Sequence, residues 1–214
     1  MQKLVLQIVY SCFVRWFLKI IVGVKFDDAK FLLNESQFII VANHNSHIDT
    51  MCLLASVPGK IIYKVKPVAA ADHFGRTKFQ EKISRFFINA LLIPRKRIRD
   101  NPAEDPINKM LKAIDDGFSL ILFPEGTRGE PDKQQRLKPG IGLVLSQRPN
   151  IKYVPAYMTG MGKIMPKGDN LIVPFNSTLT FGSPTTITST NVDEILKQIE
   201  TDLLKLKEYS TTQS

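Results

Sequence analysis

The apolar positions of this chain come in two textures. Residues 37–42, 91–93 and 118–123 are nearly solid apolar runs, the pattern of strands buried on both faces. Elsewhere apolar residues recur every three or four positions, as on one face of a helix. Residues 51–55 predict a helix, stopped by Pro58-Gly59. Asp105-Pro106 predicts a helix entrance, a cap followed by proline at the first helical position. Ile107, Met110, Leu111 and Ile114 then follow at helical spacing up to Gly117. Lys138-Pro139-Gly140 leads into another helix, to about residue 147. Residues 78–89 carry Phe79, Ile83, Phe86 and Phe87 on one side, and 192–208 carry Ile195, Leu196, Ile199, Leu203 and Leu206. Both read as amphipathic helices.

Further strands are expected at 66–71 and at 152–158, the latter edge-like or interrupted at Pro155. A strand-turn-strand over 22–26 and 30–33, turning at Asp27-Asp28, and a late hairpin from 171–175 and 178–181 complete the set. Strands alternating with helices predict an α/β fold, a single layered sheet of mostly parallel strands flanked by helices. No internal repeat or linker divides it, so residues 25–209 are assigned to one domain and 210–214 to a loose polar tail.

Residues 1–24 form the most apolar stretch, interrupted by Lys3, Arg15 and Lys19. Its longest uncharged run, 4–14, has 11 residues, whereas a spanning helix takes about 20. Leu4, Ile8, Phe13, Trp16, Phe17, Ile20 and Ile21 with basic residues between them predict an amphipathic helix lying in a membrane interface. A helix packed on the core fits the same letters.

Composition narrows the class. The 214 residues are 43% hydrophobic and 23% charged, a globular balance with enough chain for a sizeable core. Cys12 and Cys52 make no disulfide framework and read as packing residues. The net charge is +9, and residues 60–100 alone carry eleven Lys/Arg against three Asp/Glu. Such a zone implies an anionic partner: phosphate, nucleic acid or an acidic membrane surface.

The candidate chemistry sits where apolar runs end. Asn43-His44-Asn45-Ser46-His47-Ile48-Asp49 follows the run 37–42 and precedes the helix at 51–55. On one continuous helix His44 and Asp49 would stand roughly 140° apart and could not meet. With His44 before the first turn they can, and Asp49 would then orient His44 as a general base. The same letters spell a capping box, Ser46 with Asp49 three residues on, and the two readings are compatible. A metal site from His44, His47 and Asp49 lacks a further ligand; the remaining histidine, His73, has no zinc-type spacing around it. No metal is therefore expected. Glu125-Gly126-Thr127-Arg128 follows the run 118–123, and Arg95 follows 91–93. A base beside arginines suits an acceptor bearing both a hydroxyl and a phosphate. No Gly-rich phosphate loop and no Gly-x-Ser-x-Gly nucleophile motif is present.

Together these residues resemble the glycerolipid acyltransferases, particularly bacterial 1-acylglycerol-3-phosphate acyltransferases. Four blocks match in order: His44 with Asp49, Arg95, Phe123-Pro124-Glu125-Gly126-Thr127-Arg128, and Val154-Pro155. Asn89 stands where that family usually has glycine, and Pro94 replaces a polar neighbour of the arginine. The resemblance implies that His44 and Asp49 are catalytic, and that Arg95, Glu125, Gly126, Thr127 and Arg128 bind the acceptor, with Lys138 a further phosphate contact. It implies transfer from acyl-CoA or acyl carrier protein to a lysophospholipid or glycerol phosphate at the cytoplasmic face of a membrane. No cofactor and no nucleic acid are expected. A lipid-ester hydrolase using the same pair, and a non-catalytic basic binding module, are the rival classes.

Overall fold

The computed structural model describes residues 1–26, 28–46, 48–74, 82, 84–98, 100–127, 129, 135–164 and 173–212. The chain opens with one helix, α1 (Gln2–Val22), which includes wider π turns at Val9–Val14 and Phe17–Val22. It ends at Gly23, whose φ of 85° is the left-handed conformation glycine adopts freely. Strands β1 (Val24–Phe26) and β2 (Phe38–Ala42) follow, then α2 (Asp49–Ser56), β3 (Val65–Ala70) and β4 (Leu91–Ile93). Next come α3 (Pro106–Asp115), β5 (Ser119–Leu122), α4 (Gly140–Gln147), β6 (Lys152–Thr159), β7 (Ser177–Phe181) and α5 (Val192–Thr212).

The strands make one seven-stranded sheet in the order β1-β7-β6-β2-β5-β3-β4. All neighbours pair in parallel except β6 and β7. Every residue of β2 and β5 is buried, as expected of central strands covered on both faces. Alternation divides their side chains between two cores. Phe38, Ile40, Ala42 and Ile121 meet α1 and α2. Ile39, Val41, Leu120 and Leu122 meet α3, α4 and α5. The fold is thus the expected α/β sheet of mostly parallel strands flanked by helices.

Local chemistry sets the helix ends. The Asp105 carboxylate accepts from the amides of Ile107 and Asn108, and Pro106 opens α3, as predicted. Gly117, at φ 87°, closes that helix.

Several expectations are corrected. Lys30–Asn34 is a 3-10 turn and not a strand. The Ala29 amide donates to Ser56 at the end of α2, and Leu32 alone of the turn is buried. β1 therefore pairs with β7 rather than with its sequence neighbour. The late hairpin is absent among the described residues: 173–176 is irregular, Pro174 has no amide hydrogen, and the Phe175 amide donates to Val22. Residues 171–172, Asp27 and residues 78–81 and 83 of the helix expected at 78–89 lie outside the described residues, and Ser84–Ile88 of that stretch is a π-helical turn. Pro155 sits in an interior strand. Its carbonyl accepts from Gly182 on the β7 side, so its missing amide subtracts nothing from the ladder with β2. A side chain at Gly182 would place a Cβ 2.7 Å from the Pro155 ring, so proline and glycine are matched across the strands. The loose tail instead continues α5 to Thr212, with Ser210 buried against Thr180. Cys52 is a core residue, but Cys12 is exposed.

Asn89 explains one departure from the resembled family. Its φ is 56°, the region where glycine is at home and asparagine is among the best tolerated alternatives. Its amide group donates to the carbonyls of Tyr63 and Val65 just before and at the start of β3. Asn89→Ala would strain the backbone and remove the side-chain donor to two carbonyls, the buried one of Val65 and the partly buried one of Tyr63. It should cost about 2–4 kcal/mol in urea unfolding, and Asn89→Gly distinctly less.

Candidate active site

β2 and β5 are sheet neighbours, paired Val41 to Leu122, so the loops after them emerge side by side at the carboxyl ends of the strands. Asn43 anchors the first loop. Its side chain accepts from the Met158 amide at 2.8 Å and donates to the Met158 carbonyl at 2.9 Å. The chain then turns before α2 starts at Asp49.

His44 and Asp49 meet across that turn. The His44 Nδ1 lies 2.8 Å from Asp49 Oδ2. The same oxygen accepts from the amides of Asn45 (2.7 Å) and Ser46 (2.8 Å). The expected capping box does not form, because the N-cap of α2 is Ile48 and not Ser46 and carries no side-chain cap; the Asp49 carboxylate instead ties down the turn amides of Asn45 and Ser46 as it holds the histidine. Asp49 is fully buried in the first turn of α2, where the helix dipole favours negative charge. With Nδ1–H donated to Asp49, the lone pair of the neutral ring resides on Nε2. Phe123 stacks on the ring at 4.1 Å between centroids, 18° from parallel. One hydrogen bond and one stacked face therefore hold the imidazole, whose side chain is still 20% exposed.

The second loop is tied to the first through the peptide group of His44. Its amide donates to the Glu125 carboxyl group, and its carbonyl accepts from the Gly129 amide. Glu125 is buried, and burial pushes its pKa up to about 7. The His44 amide works against that rise and the charge of Asp49 adds to it. Gly126, at φ 71°, follows a turn closed by its amide on Phe123. A Cβ there would lie 2.7 Å from the Lys138 Nζ, so glycine leaves the Lys138 side chain room against the loop.

Beside this junction, at the ends of β3, β4 and β5, is a cavity of about 500 Å³. Val68, Leu122, Met110 and Ile141 are among its apolar walls, and Arg95, Arg97 and Lys138 are basic. Arg95 pairs with Asp72 at 2.6 Å, and Arg97 pairs with the Asp105 cap. The structure thus brings His44, Asp49 and Glu125 together and sets Arg95 and Gly126 on the adjoining cavity. Thr127 is exposed, with its hydroxyl 3.3 Å from Gln135 Oε1, and does not line that cavity. Arg128 and His47 lie outside the described residues. The sequence reading missed Asn43, the ring of Phe123 and the Asp72 partner of Arg95. Only Asn43 carried a visible signal, a polar residue ending a buried run.

The model of the family described as Acyltransferase matches residues 23–177. The chain is 25% identical over 149 residues to the chloroplastic 1-acyl-sn-glycerol-3-phosphate acyltransferase BAT2 of Brassica napus, covering 65% of this chain and 38% of that protein. With the chloroplastic 1-acyl-sn-glycerol-3-phosphate acyltransferase LPAT1 of Arabidopsis thaliana the identity is 26%, covering 65% and 36%. With Drosophila melanogaster tafazzin it is 28%, covering 68% and 39%. The chain spans well under half the length of these relatives. The crystal structure of the 1-acyl-sn-glycerophosphate acyltransferase PlsC from Thermotoga maritima superposes with a TM-score of 0.76 at 21% identity, covering 98% of this chain and 81% of that one. That likeness is one of fold.

Glu125 generates a pH prediction. Its folded pKa of about 7 lies above the ordinary 4.5, so the folded state holds the proton more tightly than the unfolded chain does. Its stabilising contribution is complete below about pH 4.5 and is lost as pH rises through 7. Between pH 5 and 8 the wild type should lose roughly 1–2 kcal/mol relative to Glu125→Gln, discounting for solvent screening. Urea unfolding of both proteins at the two pH values checks this; a constant difference would place the carboxyl in its ordinary range.

Proposed function

Because the chain belongs to the Acyltransferase family, we propose that it transfers a fatty acyl group from an acyl thioester to the free hydroxyl of 1-acylglycerol-3-phosphate, giving phosphatidate. The observation that carries this reading is the orientation of His44. Its Nδ1 is committed to Asp49, which leaves Nε2 to accept a proton beside a cavity with apolar walls and a basic rim.

The acceptor hydroxyl gives its proton to Nε2 as its oxygen attacks the thioester carbonyl. Asp49 stabilises the imidazolium that forms. The tetrahedral intermediate collapses, the C–S bond breaks, and the proton passes from His44 to the departing thiolate. The acyl group goes directly to the acceptor, with no acyl-enzyme and no cofactor. Arg95 and Lys138 on the cavity rim bind the acceptor phosphate, together with Arg128. Glu125 holds the loop against His44 and faces the acceptor glycerol. Thr127 serves the same loop. The 1-acyl-sn-glycerol-3-phosphate acyltransferases among the relatives support this choice of acceptor.

Purified protein in mixed micelles should form phosphatidate from a long-chain acyl-CoA and 1-acylglycerol-3-phosphate. His44→Ala and Asp49→Ala should each lower the rate by about 10²–10⁴-fold without unfolding the protein. Transfer to glycerol-3-phosphate instead would change the acceptor. Free fatty acid without phosphatidate would make the protein a hydrolase, and full activity in His44→Ala would sink the mechanism.

The reaction is set at a membrane surface by α1. Leu6, Tyr10, Leu18 and Val22 are buried on its inner side, whereas Leu4, Ile8, Phe13, Trp16, Ile20 and Ile21 are exposed. Its cations fold back onto the protein: Arg15 onto Asp28 and the Ala55 carbonyl, Lys19 over Phe26, Lys3 over Tyr63. By length and apolarity alone the helix could cross a bilayer, but its packed inner side favours lying in the interface. Deleting α1 would open the core, so the test substitutes the exposed face. Phe13→Ser with Trp16→Ser should cut partitioning onto anionic vesicles at least tenfold while the thermal midpoint stays within a few degrees. Unchanged vesicle binding would remove α1 from the interface.

A further inference from the structure

Pro94, the second departure from the resembled family, leads to a carboxylate that the acyl-transfer chemistry leaves unused. β3 and β4 pair in parallel with Ala70 opposite Ile93, an offset of 23 residues. Two residues beyond each, Asp72 and Arg95 keep that offset of 23 and bond to one another. Their pair therefore continues the strand register past the ends of both strands. β3 runs on into a single helical turn, Ala71–Phe74, which carries Asp72. β4 runs on into Pro94, which holds its own φ and disfavours the helical region for Ile93. The chain thus stays extended as it leaves the sheet edge, and Arg95 arrives opposite Asp72.

The contact is made through one nitrogen. Arg95 Nε lies 2.6 Å from Asp72 Oδ2. Pro94 and Arg95 line the cavity beside His44, whereas Asp72 does not, so the carboxylate takes the guanidinium from outside the cavity. A guanidinium has its N–H donors in one plane, one on Nε and four on the two terminal nitrogens. With Nε–H given to Asp72, the plane is set and the terminal nitrogens are left for an anion. Less rotamer freedom is then lost when that anion docks. Arg97, on the same cavity, is tied through the same nitrogen to Asp105. His44 is tied through Nδ1 to Asp49, which leaves Nε2. In all three, a carboxylate holds one nitrogen of a planar group and leaves the others for the cavity. The Arg95 and Asp72 side chains are 46% and 60% exposed. An ion pair this exposed adds little to stability, so its worth is read in binding and not in unfolding.

We propose that Asp72 is a positioning residue for the acceptor: its carboxylate holds Arg95 by Nε so that the two terminal nitrogens meet the acceptor phosphate as a preset fork. Asp72 touches neither the acceptor nor the reacting atoms and acts through Arg95 alone. The assignment rests on the reading that Arg95 binds the acceptor phosphate.

The test is steady-state transfer from a long-chain acyl-CoA to 1-acylglycerol-3-phosphate by the wild type, Asp72→Asn, Arg95→Lys and the double variant. Asp72→Asn should raise the KM for the acceptor about two- to fivefold, the range an exposed ion pair supports. Its kcat, its KM for the acyl thioester and its thermal midpoint should be unchanged. Asp72→Glu, which keeps the charge, should recover part of the loss. Arg95→Lys should itself raise the acceptor KM. Adding Asp72→Asn to it should give no further rise, because an ammonium has no plane to orient. An acceptor KM unchanged in Asp72→Asn, or raised by the same factor in the Arg95→Lys background, overturns the positioning role. A lowered KM also overturns it, since Asp72 would then compete with the phosphate for Arg95. Each of these results leaves acyl transfer itself standing. An acceptor KM indifferent to Arg95→Lys, or no phosphatidate from the wild type, instead rejects the reading beneath the proposal, and the proposal with it.

Discussion

One carboxylate oxygen, Asp49 Oδ2, accepts from the His44 ring and from two consecutive backbone amides. The Asn45 and Ser46 amides fix the carboxylate in place, and the carboxylate fixes the imidazole. Neither function could be removed without the other. The turn that produces this convergence exists because β2 ends in a buried Asn43 bonded to β6 and α2 begins only at Asp49. The sheet, the turn and the helix start are therefore parts of one device for aiming Nε2.

A second constraint couples this device to the loop after β5. The peptide group of His44 is bonded on one side to Glu125 and on the other to Gly129. Phe123 from the same loop stacks on the ring. The imidazole of His44 and the wall of the adjoining cavity are thereby held as one body, and a shift in either loop would move both. Glu125 bears the cost, a buried acid near Asp49 whose proton is held up to about pH 7. A buried acid with a raised pKa beside a histidine is the kind of grouping that supports the proposed chemistry.

The central strands were legible because strands buried on both faces read as apolar runs, as in Phe38–Ala42 and, after Ser119, Leu120–Leu122. The α3 entrance was legible because Asp105 and Pro106 act locally. Lys30–Asn34 misled because a five-residue stretch with two leucines fits a strand or a single 3-10 turn, and only the long-range bond from Ala29 to Ser56 decides. Pro155 misled because its place depends on Gly182, which faces it across the sheet. At the site, the sequence showed His44 and Asp49 but not what holds them. The stack of Phe123 and the pairing of Arg95 with Asp72 join residues far apart in the chain and carry no local signal. Asn89 was visible only as a departure; its positive φ gives the departure a physical reason.

The central claim is that Asp49 keeps Nε2 of His44 free to take a proton. The most direct test is long-range ¹H–¹⁵N NMR of ¹⁵N-histidine-labelled protein, with His44 assigned by substitution and the neutral ring observed. The account predicts the Nδ1–H tautomer in the wild type, and its loss to the mixture typical of free imidazole in Asp49→Ala. A wild-type His44 protonated at Nε2, with Nδ1 bare toward Asp49, would contradict it.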